Sequence, residues 1–229
     1  MKRLICSRCD DNIKEMTDIS LPLIKDYANK CNADFMVFDH ISDCNDSYGK
    51  WHYRIMKMGK MLQEYDRVLH LDSDIIINKN CPDIFEHVPK DKIASVFEDK
   101  GTRTLDRRKR MEKIQKRYGS VQWHNGYINT GVFLVSKRHS IIFDTIQGDY
   151  WTDFGYDDVH LGYNIHRTTE KVFELDYKFN HMSMFSEPWN QSANRFDSYI
   201  IHYAGKGIFN PKFKNRIEQM KHDKEKIYG

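Results

Sequence analysis

The chain has 229 residues, of which 40% are hydrophobic and 30% charged, with a formal net charge of +3. That length and apolar content bury a sizeable core without splitting, so one domain over residues 1–229 is expected. The near-balance of charge argues against nucleic acid as the main partner, and no run approaches the roughly 18 apolar residues of a membrane span.

In chain order, hydrophobic periodicity predicts a strand over 3–7, a helix over about 17–31 and a strand over 34–38. A helix over 53–64 then leads to a strand that ends at Asp72. Further strands are expected at 93–97, 126–136, 172–175 and 199–203, with helices around 107–118 and 140–147. The lysine-rich end from Lys212 reads as helical or frayed. Strands separated by helices imply βαβ units and a mostly parallel sheet, whose ligands lie beyond the carboxyl ends of the strands. Five cysteines (Cys6, Cys9, Cys31, Cys44 and Cys81) form an odd set, and the apolar stretch after Met1-Lys2-Arg3 is too short for a signal peptide. The chain therefore reads as cytoplasmic with reduced thiols. Cys6-Ser7-Arg8-Cys9 has no second pair to complete a zinc site, so two thiols near a strand end is the plainer reading.

Residues 65–77 read Tyr-Asp-Arg-Val-Leu-His-Leu-Asp-Ser-Asp-Ile-Ile-Ile, an apolar run that delivers Asp72 and Asp74 at a strand exit. Alternation along a strand puts both carboxylates on one side, with Ser73 opposite, so the two converge on one divalent cation. The spacing alone is common in a chain rich in aspartate; its setting gives it weight, because carboxylates beside a buried strand need a cation or hydrogen bonds to offset desolvation. His202, after the run Ser198-Tyr199-Ile200-Ile201, is the candidate third ligand. Two carboxylates and an imidazole suit Mn²⁺, with Mg²⁺ as the alternative, better than Ca²⁺ or structural Zn²⁺.

Several blocks then point to a family. Tyr53-Arg54-Ile55, the run from Tyr65 to Leu69 and Asp72-Ser73-Asp74-Ile75-Ile76 resemble the donor-binding segment of glycosyltransferase family 8. Asn129-Thr130-Gly131-Val132-Phe133, Asp157-Asp158-Val159-His160-Leu161 and His202-Tyr203-Ala204-Gly205-Lys206 resemble later blocks of that family in the same order. The resemblance spans nearly the whole chain. It implies the GT-A fold, a single Rossmann-like, mixed and mostly parallel sheet flanked by helices. It also implies metal-dependent transfer of a hexose from a UDP-sugar to a glycan or other hydroxyl acceptor, with retention. In the roles so implied, Asp72, Asp74 and His202 hold the metal, and Ser7 and Arg8 at the first strand exit meet the nucleoside. Arg54 and Lys206 meet the diphosphate, with Gly205 allowing close approach. Asp72, Ser73, Asp99, Asn129, Thr130 and Gly131 contact the donor, while Asp157 and Asp158 lie near the reacting carbon. The chain departs from the pattern twice: Lys206 follows Gly205 directly, and Asp158 stands where the family has glutamine. A carboxylate there leaves inversion, with an acid as base, beside retention.

The basic segment 103–117 offers a surface to an anionic acceptor, a membrane surface or a nucleic acid, or forms a solvated helix face with Leu105, Met111 and Ile114 inside. Three other readings compete with a transferase. A non-catalytic nucleotide-sugar or glycan-binding module would share the fold without turnover. A haloacid-dehalogenase-like phosphatase would carry its Asp-x-Asp on the first strand, whereas two strands precede it here. A nucleotidyltransferase needs a glycine-rich loop after the first strand, and residues 6–12 contain no glycine.

Overall fold

The computed structural model describes residues 1–38 and 51–229; Cys44 lies outside the described residues. In chain order the strands are β1 (Arg3–Arg8), β2 (Asp34–Phe38), β3 (Arg67–Leu71), β4 (Ile75–Ile77), β5 (Ile93–Phe97), β6 (Ile128–Ser136), β7 (Val172–Glu174) and β8 (Ile200–His202). The α-helices are α1 (Lys14–Lys30), α2 (Met58–Met61), α3 (Ile84–His87), α4 (Thr104–Tyr118), α5 (Tyr156–Arg167) and α6 (Arg216–Tyr228).

Six strands form one sheet in the order β2-β1-β3-β6-β5-β7. All are mutually parallel except β6, which runs antiparallel to both β3 and β5. Every residue of β3 and β6 is buried, as expected for central strands covered on both faces. The period of two divides their side chains between two cores. Ile5, Leu69, Leu71, Val132 and Leu134 face α1 and α3, whereas Leu4, Cys6, Val68, Phe133 and Val135 face α2 and α5. Because β6 is reversed, its first residues lie at the edge where the parallel strands β1, β3 and β5 end. One edge of the sheet therefore collects Arg8, Asp72, Glu98 and Asn129.

A second unit, the antiparallel ribbon β4-β8, adds to the single sheet read from the sequence. Its register sets Ile75 opposite His202, and the Tyr203 amide donates to the Asp74 carbonyl at 2.8 Å. The ribbon carries residues 200–203 back beside the exit of β3. Its outer face packs with Met16, Ile19 and Leu23 of α1 and Met220 of α6.

Two predicted helices are realised differently. The 53–64 helix becomes a 3-10 segment, Trp51–Lys57, followed by the single turn α2. The 140–147 helix is replaced by a 3-10 segment, Lys137–Phe143, started by reciprocal hydrogen bonds between Ser136 and His139. It cannot continue, because Gln147 and Gly148 take positive φ and turn the chain back into an Ile146–Asp149 bridge.

Candidate active site

Asp72 and Asp74 leave β3 on one side, and Ser73 points the other way, where its buried hydroxyl donates to the Arg8 carbonyl at 2.7 Å. His202 Nε2 lies 3.4 Å from Asp72 Oδ2 and 3.2 Å from Asp74 Oδ1. One ligand atom from each of the three residues falls within 4.8 Å of the others, the one such cluster of His, Cys, Asp and Glu among the described residues. Gly131 makes room for this approach: a Cβ there would stand 2.3 Å from His202 Cε1.

A chain of amides fixes which imidazole nitrogen faces the carboxylates. Glu98 only accepts, so Asn129 must turn its Nδ2 toward it, at 2.7 Å. Asn129 Oδ1 then accepts from the Gly131 amide and from Asn180 Nδ2, at 3.0 and 2.7 Å. Asn180 Oδ1 is left to accept from His202 Nδ1–H, at 2.7 Å. Nε2 is thereby aimed at the two carboxylates, the orientation that hydrogen bonds to the far nitrogen give a metal-ligating histidine. The start of the chain is held by the buried ion pair of Glu98 with Arg107. Ser95 holds Asn129 in place at the irregularity between β5 and β6, accepting from its amide and donating to its carbonyl. The donor set, with its aligned imidazole, fits a divalent cation of borderline hardness.

The charges of the three residues depend on one another. Burial disfavours a charged His202, but Asp74 and Asp72 beside it raise the imidazole from its ordinary 6.5 to about 10. Burial would raise Asp72, yet His202 holds its carboxyl well below the usual range. Because the folded value of His202 lies above the ordinary one, its charge stabilises the metal-free protein fully below pH 6.5 and loses that effect as pH rises through about 10. The melting temperature of EDTA-treated protein should therefore fall across that window. A divalent cation bound through Nε2 would displace the same proton, so Mn²⁺ affinity should rise by up to about tenfold per pH unit in the lower half of the window. Thermal melts and calorimetry of wild type against His202→Gln check this; equal pH slopes in the two proteins would contradict it.

Beside the cluster stand two more acids. Gly155, with φ of +87°, turns the chain into α5, where Cβ would meet Val159 Cγ2 at 2.4 Å and Tyr127 Oη at 2.5 Å. Asp157 and Asp158 follow in the first turn of α5. Asp158 Oδ1 accepts from the Thr130 amide and hydroxyl, both at 2.8 Å, and the same hydroxyl lies 2.9 Å from Asp157 Oδ2. Burial first, then Asp157 and Glu98, push the Asp158 carboxyl well above the usual range. These groups and the metal cluster line one cavity of about 800 Å³, which also takes in Arg8, His70, Phe154, Gly205 and Arg216. Its size falls in the range of small-molecule sites.

The model of glycosyl transferase family 8 matches residues 11–207, most of the chain. The chain belongs to glycosyltransferase family 8. No curated protein matches it in sequence. Among solved structures, the fold is similar to a glycosyltransferase involved in glycosylation of the major capsid of PBCV-1, 15% identical with a TM-score of 0.58 and covering 97% of this chain and 100% of that one. It is also similar to the galactosyltransferase LgtC in complex with donor and acceptor sugar analogues, 14% identical, TM-score 0.62, covering 99% and 96%. Mouse xyloside xylosyltransferase 1 is 11% identical, TM-score 0.58, covering 92% and 100%. At these identities the likeness is one of fold, and the mixed, mostly parallel sheet is that of GT-A glycosyltransferases.

Not every residue that the family pattern singled out lies on the cavity. Arg8, Asp72, Asn129, Thr130, Asp157, Asp158, Gly205, Asp74 and His202 line it. Ser7 is wholly buried in β1, and Ser73 is turned to the Arg8 carbonyl, so neither hydroxyl reaches a ligand directly. Arg54 is buried, donating to the Cys9 carbonyl at 2.9 Å with Asp10 at 3.4 Å. Asp99 accepts from the amides of Gly126 and Tyr127, both at 2.9 Å, and so caps the turn ahead of β6. Lys206 is exposed, away from the cavity lining, since the shortened spacing leaves it on the turn after Gly205. The cation that reaches the cluster instead is Arg216, whose Nη1 lies 2.5 Å from Asp74 Oδ2. Gly131 shapes the site by its missing side chain.

Of the basic segment, Arg107 is turned inward to Glu98, Met111 and Ile114 are buried as expected, and Leu105 is 72% exposed. Trp123, Tyr127, Trp151 and Phe185 are core, whereas Phe154, 70% exposed, and the half-buried Tyr156 line the cavity. Among the described residues no helix is long and apolar enough to cross a membrane.

Proposed function

We propose that this family 8 protein transfers a hexose from a UDP-sugar to a hydroxyl of a glycan or similar acceptor, with Mn²⁺ as cofactor, replaceable by Mg²⁺, and with retention at the anomeric carbon. The observation that carries the reading is the convergence of Asp72, Asp74 and His202 on the same cavity as Asp157 and Asp158. A bound divalent cation supplies Lewis-acid stabilisation of the departing diphosphate, in place of a proton donor.

The chain's own residues do the rest. Arg8, at the exit of β1, lends positive charge to the diphosphate in a sheltered site. Arg54 acts through backbone, holding the Cys9 carbonyl and Asp10 and so the turn against which the nucleoside rests. Asn129, with its second Nδ2–H, donates a hydrogen bond at the sugar, and the Asp157 carboxylate accepts one. Asp158 stabilises positive charge that develops at the anomeric carbon, and its contact with Thr130 keeps it aimed there. Phe154 offers an acceptor sugar a ring to stack on. Among the described residues Cys6, Cys9, Cys31 and Cys81 are free thiols, which suits a cytoplasmic setting.

The test is release of UDP from a panel of UDP-hexoses, with Mn²⁺ and with excess EDTA. Turnover of at least one donor that depends on Mn²⁺, with a retained anomeric configuration by proton NMR, is expected. Metal-independent release, or none with any UDP-sugar, would overturn the reading.

A further inference from the structure

Arg216 is the first residue of α6, and its position is set rigidly. Asn215 caps the helix by accepting from the Glu218 amide at 2.9 Å, Met220 is fully buried against α1 and the β4-β8 ribbon, and the buried Gln219 accepts from the amides of Phe209 and Asn210. From this base the guanidinium, about one third exposed, reaches into the cavity. Nη1 holds Asp74 Oδ2 at 2.5 Å, and Nη2 donates to the Gly205 carbonyl.

Asp74 thus has two cationic partners, one on each oxygen: His202 on Oδ1 and Arg216 on Oδ2. A divalent cation held by Asp72, Asp74 and His202 would take over that carboxylate and set a like charge beside the guanidinium. The pair would then be repulsive, and the arginine, with a fork that fits phosphate oxygens, would turn to the anion that arrives with the metal. Two carboxylates neutralise a divalent cation, so the diphosphate of the donor still requires cations of its own. Arg8 at the exit of β1 supplies one such charge; Arg107 is engaged by Glu98 and Arg110 by Asp106, while Lys206 stands outside the cavity lining, so Arg216 is the further cation on that lining.

We propose that Arg216 is a two-position residue, the counter-ion of Asp74 in the metal-free protein and the grip on the donor's diphosphate once a cation holds Asp74. The inference rests on the nucleotide-sugar reading of the cavity. It predicts effects of opposite sign from one substitution, which a merely structural role would not produce. In calorimetry on the full, metal-stripped chain, Arg216→Ala should bind Mn²⁺ alone about threefold more tightly than wild type, because a competing counter-ion is gone. UDP binding to the Mn²⁺-loaded variant should weaken by about 10- to 100-fold. Arg216→Lys should recover part of both effects, as a point charge without the fork. Circular dichroism establishes that the variants are folded, and Arg216→Gln replaces the alanine variant if it is not. Mn²⁺ and UDP affinities that move together, or a UDP affinity that does not move, would overturn the role of Arg216. Failure of UDP to bind Mn²⁺-loaded wild type would instead overturn the nucleotide-sugar reading itself.

Discussion

Asp74→Asn is expected to lower transfer by about 10³-fold or more while the protein remains folded. The amide keeps the shape of the side chain but removes a charged ligand from a cluster of three, and it leaves His202 with one carboxylate partner instead of two. Mn²⁺ affinity should fall by at least about 100-fold, measured by calorimetry on the metal-stripped protein. Asp72→Asn should behave alike, since each aspartate meets the same imidazole nitrogen. The fold should persist because β3 and its ladders to β1 and β6 end before either aspartate. Normal turnover by either variant with Mn²⁺ would rule out the cluster as the metal site.

The second large effect is expected at Asp158. Asp158→Asn retains an Oδ1 that accepts from the Thr130 amide and hydroxyl, so it removes charge and leaves the geometry. A fall in kcat of about 10²-fold, with KM for the donor nearly constant, is expected if the carboxylate acts mainly on the transition state. The Asp158 carboxyl sits well above the usual range because burial, Asp157 and Glu98 all disfavour its charge. Positive charge at the anomeric carbon would relieve that cost, so the carboxylate is worth most at the moment of bond breaking. A change confined to KM would mark Asp158 as a binding residue only.

The parts of the site that are legible in the sequence are those carried by short, regular spacing. Asp72 and Asp74 stand out because an apolar strand leads straight into them, and Asn129 and Thr130 because they open another. His202 is legible as a strand-end residue in family order, while its pairing with residues 130 positions earlier depends on the β4-β8 ribbon, whose strands are only three residues long. Asn180 gives no such signal. It sits in irregular chain between a 3-10 turn and an isolated bridge, and its importance comes from contacts with Asn129 and His202, 51 and 22 residues away. Arg216 is hidden for another reason, since a basic residue in a lysine-rich end reads as solvated helix until α6 is seen to dock on α1. Lys206 shows the converse. Its family order points to the diphosphate, but one turn of backbone after Gly205 decides its direction, and the local spacing differs from the pattern. The helices at 53–64 and 140–147 fail because periodicity registers which residues are buried without separating one α-turn from a 3-10 segment.

One divalent cation is expected to join Asp72, Asp74 and His202 to the diphosphate of a nucleotide donor. Diffraction from crystals grown with Mn²⁺ and UDP, recorded at the manganese absorption edge, tests it most directly. A single anomalous peak is expected within coordination distance of the two aspartates and of His202 Nε2, with phosphate oxygens of UDP completing the shell. A peak elsewhere, or UDP bound in the cavity with no metal between it and the aspartates, would contradict it.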